Sequence, residues 1–246
     1  MPDPLLELRE VRAGYAEAVV LDGVSLALPA SGSLAVLGRN GMGKTTLLLA
    51  IMGFVTLARG SIWLKGTDIS RLPPHKRAHV GVGWVPQERD IFPSLTVQEN
   101  LTVAARPGRW DLEAVFALFP RLKERRANMG NQLSGGEQQM LTIARTLMTN
   151  PSVLLLDEPA AGVPKDESAM LFSVLAALPE EISVLFIEHD MDIVFSFASR
   201  VIVMVAGAVL LEAEPAVVSQ DPRVREVYLG TKNTTNAPPN VTGHHA

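Results

Sequence analysis

Residues Gly38, Arg39, Asn40, Gly41, Met42, Gly43, Lys44 and Thr45 follow the spacing G-x-x-x-x-G-K-[ST], which suits a loop that holds nucleotide phosphates. Its glycines let the backbone bend until successive N–H groups point at one anion, and Lys44 adds a point charge for the outer phosphates. Thr45 offers a hydroxyl to Mg²⁺, and Thr46 joins the nucleotide-binding set where a helix begins with its positive dipole end toward the phosphates. A second group of chemistry-bearing residues closes Pro151-Ser-Val-Leu-Leu-Leu-Asp157-Glu158-Pro159. Neighbouring side chains at a strand's end diverge, so Asp157 is expected to hold Mg²⁺ through its water shell and Glu158 to orient or deprotonate an attacking water. A third run, Val184-Leu-Phe-Ile-Glu-His189-Asp190, puts a polar group at the same kind of place, and His189 is expected to sense a γ-phosphate.

These residues need a frame. Residues 34–37, 153–156 and 184–187 are apolar at every position rather than every second one, which indicates parallel strands covered on both faces. Open α/β sheets bind ligands outside the carboxyl ends of their strands, so three strands are expected to deliver Lys44 and Thr45, Asp157 and Glu158, and His189 to one edge. Residues 46–52 read as the helix after the phosphate loop. Residues 6–11 alternate and 20–28 partly alternate, and with 61–65 they suggest an antiparallel β-layer at the N-terminus. Residues 201–211, uncharged and apolar with Ala206-Gly207 at the centre, suggest a β-hairpin or a pair of buried strands.

Between the first and second core strands the chain turns helical. Residues 111–119 suggest one short helix stopped by Pro120. Ser134 then reads as an N-cap, and Met140, Ile143, Ala144 and Leu147 fall at i, i+3, i+4, i+7 before Asn150-Pro151 ends the helix. A helical insertion at about residues 88–150 of a RecA-like α/β core explains that order. The basic residues Arg121, Lys123, Arg125 and Arg126 lack interleaved aromatics and are expected to form a solvated face, not a nucleic-acid site.

The 246 residues suffice for one large α/β domain, and a net charge of −4 gives no sign of a nucleic-acid-binding surface. The absence of cysteine rules out disulfides and thiolate metal sites and fits a reducing compartment. No basic segment followed by an apolar core opens the chain, so no secretory signal is expected. The 201–211 run is well short of the roughly 18 residues a spanning helix needs, so the chain by itself is expected to be soluble. Residues 231–246, polar and rich in Pro and Asn, suggest a disordered tail, and neither the N-x-T triplets at Asn233 and Asn240 nor His244-His245 is assigned a role.

The segment Gln132-Leu-Ser-Gly-Gly-Glu-Gln-Gln139 resembles the signature of ABC-type ATPases, L-S-G-G-[EQ]-Q. Taken with the phosphate loop, the Asp157-Glu158 strand and His189, the resemblance covers residues 5–230, a single cassette domain. It implies a RecA-like core with an N-terminal antiparallel β-subdomain and an inserted helical signature subdomain. Tyr15 then looks like the aromatic that stacks on adenine, although a core tyrosine fits the sequence equally. Gln87, in Val-Pro-Gln-Glu, looks like the glutamine that touches Mg²⁺ and the water and senses a membrane partner. The resemblance implies that Ser134, Gly135, Gly136 and Glu137 contact the ATP of a partner cassette packed head to tail, self or sister. It implies integral-membrane permeases and an extracytoplasmic solute-binding protein as further partners, no nucleic acid, and a peripheral place on the cytoplasmic face of the cell membrane.

A narrower likeness is also present. Leu72-Pro-Pro-His-Lys-Arg-Ala, residues 83–101, Phe119-Pro-Arg-Leu-Lys-Glu-Arg-Arg126 and Val227-Tyr-Leu-Gly230 are similar to the LivF-type ATPase of branched-chain amino acid importers. Glu188-His-Asp-Met-Asp192 and Ala160-Ala-Gly162 are closer to the companion LivG-type cassette, and urea and amide importers share these segments. One departure is Pro164, where many cassettes have an aspartate. The expectation is therefore the ATP-hydrolysing subunit of an importer. An exporter ATPase, a soluble mechanochemical ATPase of the superfamily and a nucleotide-binding regulator that does not hydrolyse are the alternatives.

Overall fold

The computed structural model describes residues 4–229, with side chains through residue 226. The expected tail, its N-x-T triplets and His244-His245 lie outside the described residues. Strands β1 (Leu6–Tyr15), β2 (Ala18–Leu28), β4 (Thr56–Leu64) and β5 (Thr67–Asp68) form an antiparallel sheet in the order β2-β1-β4-β5. In β1 the inward residues Leu6 and Leu8 are followed by Val11 and Ala13, so the period of two slips by one residue. The slip is a β-bulge: the pairing with β2 shifts between Leu8 and Val11, and Glu10 takes a left-handed φ of 49°. It returns the second half of the strand to the core face.

The other sheet holds β3 (Ser33–Leu37), β6 (Val82–Val85), β7 (Val153–Asp157), β8 (Ser183–Ile187), β9 (Arg200–Val205) and β10 (Ala208–Ala213) in the order β10-β9-β3-β8-β7-β6. All pairings are parallel except the β9–β10 hairpin. Alternate residues of each central strand enter different cores. Leu34 and Val36, Val153 and Leu155, and Leu185 and Ile187 pack toward the antiparallel sheet. Ala35 and Leu37, Leu154 and Leu156, and Val184 and Phe186 pack toward the helices. Being wetted on neither side is why these runs are apolar at every position.

The helices are α1 (Lys44–Met52), α2 (Pro74–His79), α3 (Val97–Thr102), α4 (Leu112–Leu118), α5 (Pro120–Glu124), α6 (Gly135–Leu147), α7 (Lys165–Ala176), α8 (Met191–Phe197), α9 (Pro215–Gln220) and α10 (Pro222–Leu229). Asp111 caps α4 by accepting from the Ala114 N–H. Pro120 does end α4, but it also opens α5 at the first helical position, where its missing N–H and fixed φ cost nothing. The short helix expected over residues 111–119 is therefore α4, and α5, which was not expected, follows it. Strand β6 is a second departure, since it was not expected from the sequence. It is short and contains Gly83, where a Cβ would press on Thr146 and Pro151, so close packing against α6 replaced the side chain that would have marked a strand. Among the described residues no helix is long and apolar enough to cross a membrane.

Arg77 sets the far end of α1. It is buried at 3% exposure, and its guanidinium donates to the carbonyl oxygens of Ala50, Ile51, Ser70 and Leu72 at 2.7–2.8 Å. The last turn of the helix that begins at the phosphate loop is therefore closed by a side chain from α2.

Candidate functional site

The phosphate loop connects β3 to α1. Gly43 is the N-cap of α1 with φ 93°, a left-handed backbone that suits glycine, and it leaves the first N–H groups of the helix without a side-chain cap or an acidic neighbour. Gly38 sits where a Cβ would meet the Met204 carbonyl oxygen of β9 at 2.6 Å, so the loop lies against the sheet edge. Lys44 is buried, with Nζ donating to the carbonyls of Gly38 and Arg39 at 2.8 and 3.2 Å. Burial lowers its pKa while the carboxylates of Glu158 and Asp157 hold it up. The ammonium is thus turned into its own loop, at the place where phosphate oxygens are expected to replace the carbonyls.

Asp157 ends β7 almost fully buried, and Thr45 Oγ1 donates to its Oδ1 at 3.3 Å. A hydroxyl from the first turn of α1 and a carboxylate from the end of β7 are hard oxygen donors of the kind Mg²⁺ takes beside phosphate. Val20, Asn40, Gly41, Gly43, Lys44, Thr45, Thr46, Gln87 and Glu158 line one cleft of about 450 Å³. Gly38, Arg39 and Met42 of the loop do not line it; Met42 instead faces Ala206, whose N–H donates to Met42 Sδ at 3.2 Å. Tyr15, 48% exposed at the end of β1, is not a core tyrosine.

Glu158 is the meeting point. Its backbone is left-handed at φ 48°, and its carboxylate is held on both oxygens: Gln87 Nε2 donates to Oε2 at 2.8 Å, and His189 Nε2 lies 2.7 Å from Oε1. Gln87 follows β6 and His189 follows β8, so β6 adds a fourth strand end to the three expected at this edge.

Two supporting residues escaped the sequence reading. Glu188, buried beside His189, accepts from the Ala160 N–H at 2.8 Å and from the His189 N–H at 3.1 Å, tying the segment after Glu158 to the histidine. Burial raises its pKa, and the two backbone donors oppose that rise. A charged residue ending a wholly apolar strand was the available signal. The other is Arg89, whose guanidinium reaches the Ala161 and Gly162 carbonyls.

The Ser134-Gly135-Gly136-Glu137 segment opens α6 about a capping box. Ser134 Oγ accepts from the Glu137 N–H at 3.2 Å, and Glu137 Oε2 accepts from the Ser134 N–H at 2.9 Å. Glu137 Oε1 also pairs with Arg125 at 2.8 Å. Its carboxylate therefore has partners on both oxygens within this chain, while Gly136 is buried with the Glu167 carboxylate packed where a Cβ would stand.

The pH dependence of Asp157 is open to test. Burial pushes its carboxyl from the ordinary 3.8 up to about 6, with the Thr45 hydroxyl opposing. A group that binds its proton more tightly when folded lowers stability as pH rises from 3.8 to about 6, and the penalty persists above. Asp157→Asn, which keeps an oxygen for Thr45, should stabilise the nucleotide-free protein by about 2 kcal/mol at pH 8, and the gain should vanish below pH 4. Urea unfolding across pH measures this, and an equal gain at both ends of the range would refute it. The same variant should lose the extra stability that Mg²⁺ with ATP gives the wild type.

Comparison with known proteins adds independent findings. The family model described as ABC transporter matches residues 21–161. BraG of Pseudomonas aeruginosa, a high-affinity branched-chain amino acid transport ATP-binding protein, is 34% identical over 92% of this chain and 100% of its own. LptB of Haemophilus influenzae, a lipopolysaccharide export system ATP-binding protein, is 35% identical over 92% of this chain and 97% of its own. LivF of Archaeoglobus fulgidus, a probable branched-chain amino acid transport ATP-binding protein, is 32% identical over 83% and 90%. Among solved structures, a nucleotide-free ATP-binding cassette from an ABC transporter aligns with a TM-score of 0.81 at 28% identity, covering 92% of this chain and 99% of that one. An ADP-bound cassette of an ABC transporter gives 0.79 at 29% identity over the same shares.

Proposed function

The chain belongs to the ATP-binding cassette family of ABC transporters, and from that premise we propose that it is the ATP-hydrolysing subunit of an importer for branched-chain amino acids. The likeness to BraG and LivF supports the substrate, and the Gln87–Glu158–His189 constellation supports the chemistry. That constellation is the observation on which hydrolysis rests. A carboxylate at the carboxyl edge of the sheet, beside the phosphate loop, is positioned to take a proton from water in line with a γ-phosphate. His189 holds the carboxylate's other oxygen and is the residue to read the γ-phosphate.

Gly38 through Thr46 bind the triphosphate of ATP in this reading, and Tyr15 supplies an exposed ring for the adenine. Thr45, Asp157 and Gln87 are the residues to hold Mg²⁺. When bound, that cation neutralises charge developing on the β- and γ-phosphates. Lys44 leaves its loop carbonyls for phosphate oxygens, and Asp157 must be ionised to serve. Ser134, Gly135 and Gly136 offer the N-terminus of α6 to the ATP of a second cassette, with Glu137 holding that helix end in shape rather than reaching out. ATP then joins two cassettes, and its hydrolysis shifts them from closed to open. The partners are integral-membrane permeases, docked near Gln87 on the cytoplasmic face of the cell membrane, with a solute-binding protein on the other side. The domain spans residues 5–230, with the helical insertion at about 88–150.

The likeness to LptB favours a second reading, an exporter ATPase of the same build, since its 35% identity stands beside 34% and 32% for the importer relatives. One experiment addresses both. A tagged chain purified from gently solubilised native membranes is expected to bring down polytopic permeases, whose sequences separate an importer from an exporter. A chain recovered only from the soluble fraction, bound to ribosomes, DNA or nothing, overturns the transport reading and leaves the ATPase.

A further inference from the structure

The corner of chain just after Gln87 is held in a way that nucleotide binding does not explain. Arg89 and Asp90 both have left-handed backbones, with φ 65° and 46°, which residues bearing a Cβ adopt only when surroundings impose it. Helix α6 imposes it here. Thr142 Oγ1 donates to the Arg89 carbonyl oxygen, and Arg145 Nη2 donates to that of Asp90 at 2.6 Å while its guanidinium lies 5.0 Å from the Phe92 ring centre.

From this corner the Arg89 side chain reaches back to the segment after Glu158. Its Nη2 donates to the carbonyl oxygens of Ala161 and Gly162 at 3.1 and 3.3 Å. Its Nη1 passes Gly135 so closely that a Cβ there would be only 3.0 Å away. A cation at the N-terminal end of a helix sits in the unfavourable half of the helix field, so stabilising α6 does not account for it. A planar guanidinium placed between two segments does, because Nη2 takes both carbonyls while Nη1 lies against Gly135, and a single ammonium nitrogen cannot occupy both places. The same loop, at Gln87, donates to the Glu158 carboxylate at 2.8 Å.

We propose that Arg89 is a positioning residue for ATP hydrolysis, fastening the loop that carries Gln87 to the carbonyls after Glu158 and to the glycine end of α6, so that these segments shift as one body. It acts through Gln87 and Glu158 rather than on the phosphates. A push on the Gln87 loop is thereby transmitted at once to the catalytic carboxylate and to the surface offered to a second cassette. The inference rests on the ATPase reading given above.

Arg89→Gly in the full chain is the informative variant, because glycine takes the left-handed backbone without strain and only the guanidinium is lost. The expected result is a fall in kcat of about 10- to 100-fold, as for a small misplacement of catalytic groups. The KM and Kd for ATP should stay within about twofold of wild type, the pattern of a residue that serves only the chemical step. Arg89→Lys should recover little. In the double variant Gln87→Ala with Arg89→Gly the loss should be clearly less than the product of the two single losses, since part of the effect of Arg89 passes through Gln87. A wild-type kcat in Arg89→Gly, a loss of ATP affinity and thermal stability that parallels the loss of kcat, or multiplicative losses in the double variant would each overturn the proposal. A wild-type chain without ATP turnover is a different result and would overturn the ATPase reading itself.

Discussion

Glu158→Gln should leave ATP bound and cut turnover by about 10²–10⁴-fold, the effect of losing a general base. The substitution is nearly isosteric, so the local geometry predicts what survives. The amide oxygen still accepts from Gln87 Nε2, and the amide nitrogen faces His189 Nε2, where Oε1 lies at 2.7 Å in the wild type. What is lost is the negative charge and the ability to take a proton from water. Removing that charge also relieves a carboxylate close to incoming phosphates, so the affinity for ATP should hold or rise. Phosphate release at saturating ATP gives the rate, and a binding titration with ATP gives the affinity. Turnover near that of the wild type would remove Glu158 from the role assigned to it.

Arg77→Ala carries the largest expected loss of stability, about 3–5 kcal/mol, because it removes a buried cation's hydrogen bonds and strands several carbonyls at once. Ala50, Ile51, Ser70 and Leu72 would each lose a donor at 2.7–2.8 Å, the first two of these bonds being buried and the other two partly so. Arg77→Lys should recover only part, since one ammonium cannot span acceptors spread over α1 and the turn before α2. Denaturant midpoints of the three proteins measure the effect. Because Ala50 and Ile51 lie in the last turn of the helix that starts at Lys44, the loss should be as large with saturating ATP as without it, and larger still where the substitution also weakens ATP binding at the other end of that helix. A change below about 1 kcal/mol would show that water reaches these carbonyls.

The parts of the site that are local in the chain were legible before the fold was known. A glycine-rich loop between a strand and a helix, a serine N-cap, and a strand ending in carboxylates each depend on φ, ψ and side-chain chemistry within a few residues. The central strands were legible for a related reason: burial on both faces removes polar residues from every position, and that leaves a mark in the sequence. Pro120 ends α4 as expected, and its fixed φ also lets it open α5, a helix too short to leave a periodic mark.

The sequence pattern brought three strand ends to one edge, but tertiary structure decided which of their side chains touch. Gln87 and Glu158 are separated by 71 residues and Glu158 and His189 by 31, and no spacing rule connects them. The strand order, with β6 beside β7 and β7 beside β8, makes them neighbours, and β6 had no apolar periodicity long enough to announce it. The same holds for Arg125 on Glu137, Glu188 on Ala160, Arg77 on α1 and the exposure of Tyr15. A sequence sets which groups a segment can offer, through backbone freedom and side-chain chemistry. Which groups receive them is set by packing, because a hydrogen bond acts over about 3 Å while the residues it joins can stand anywhere along the chain.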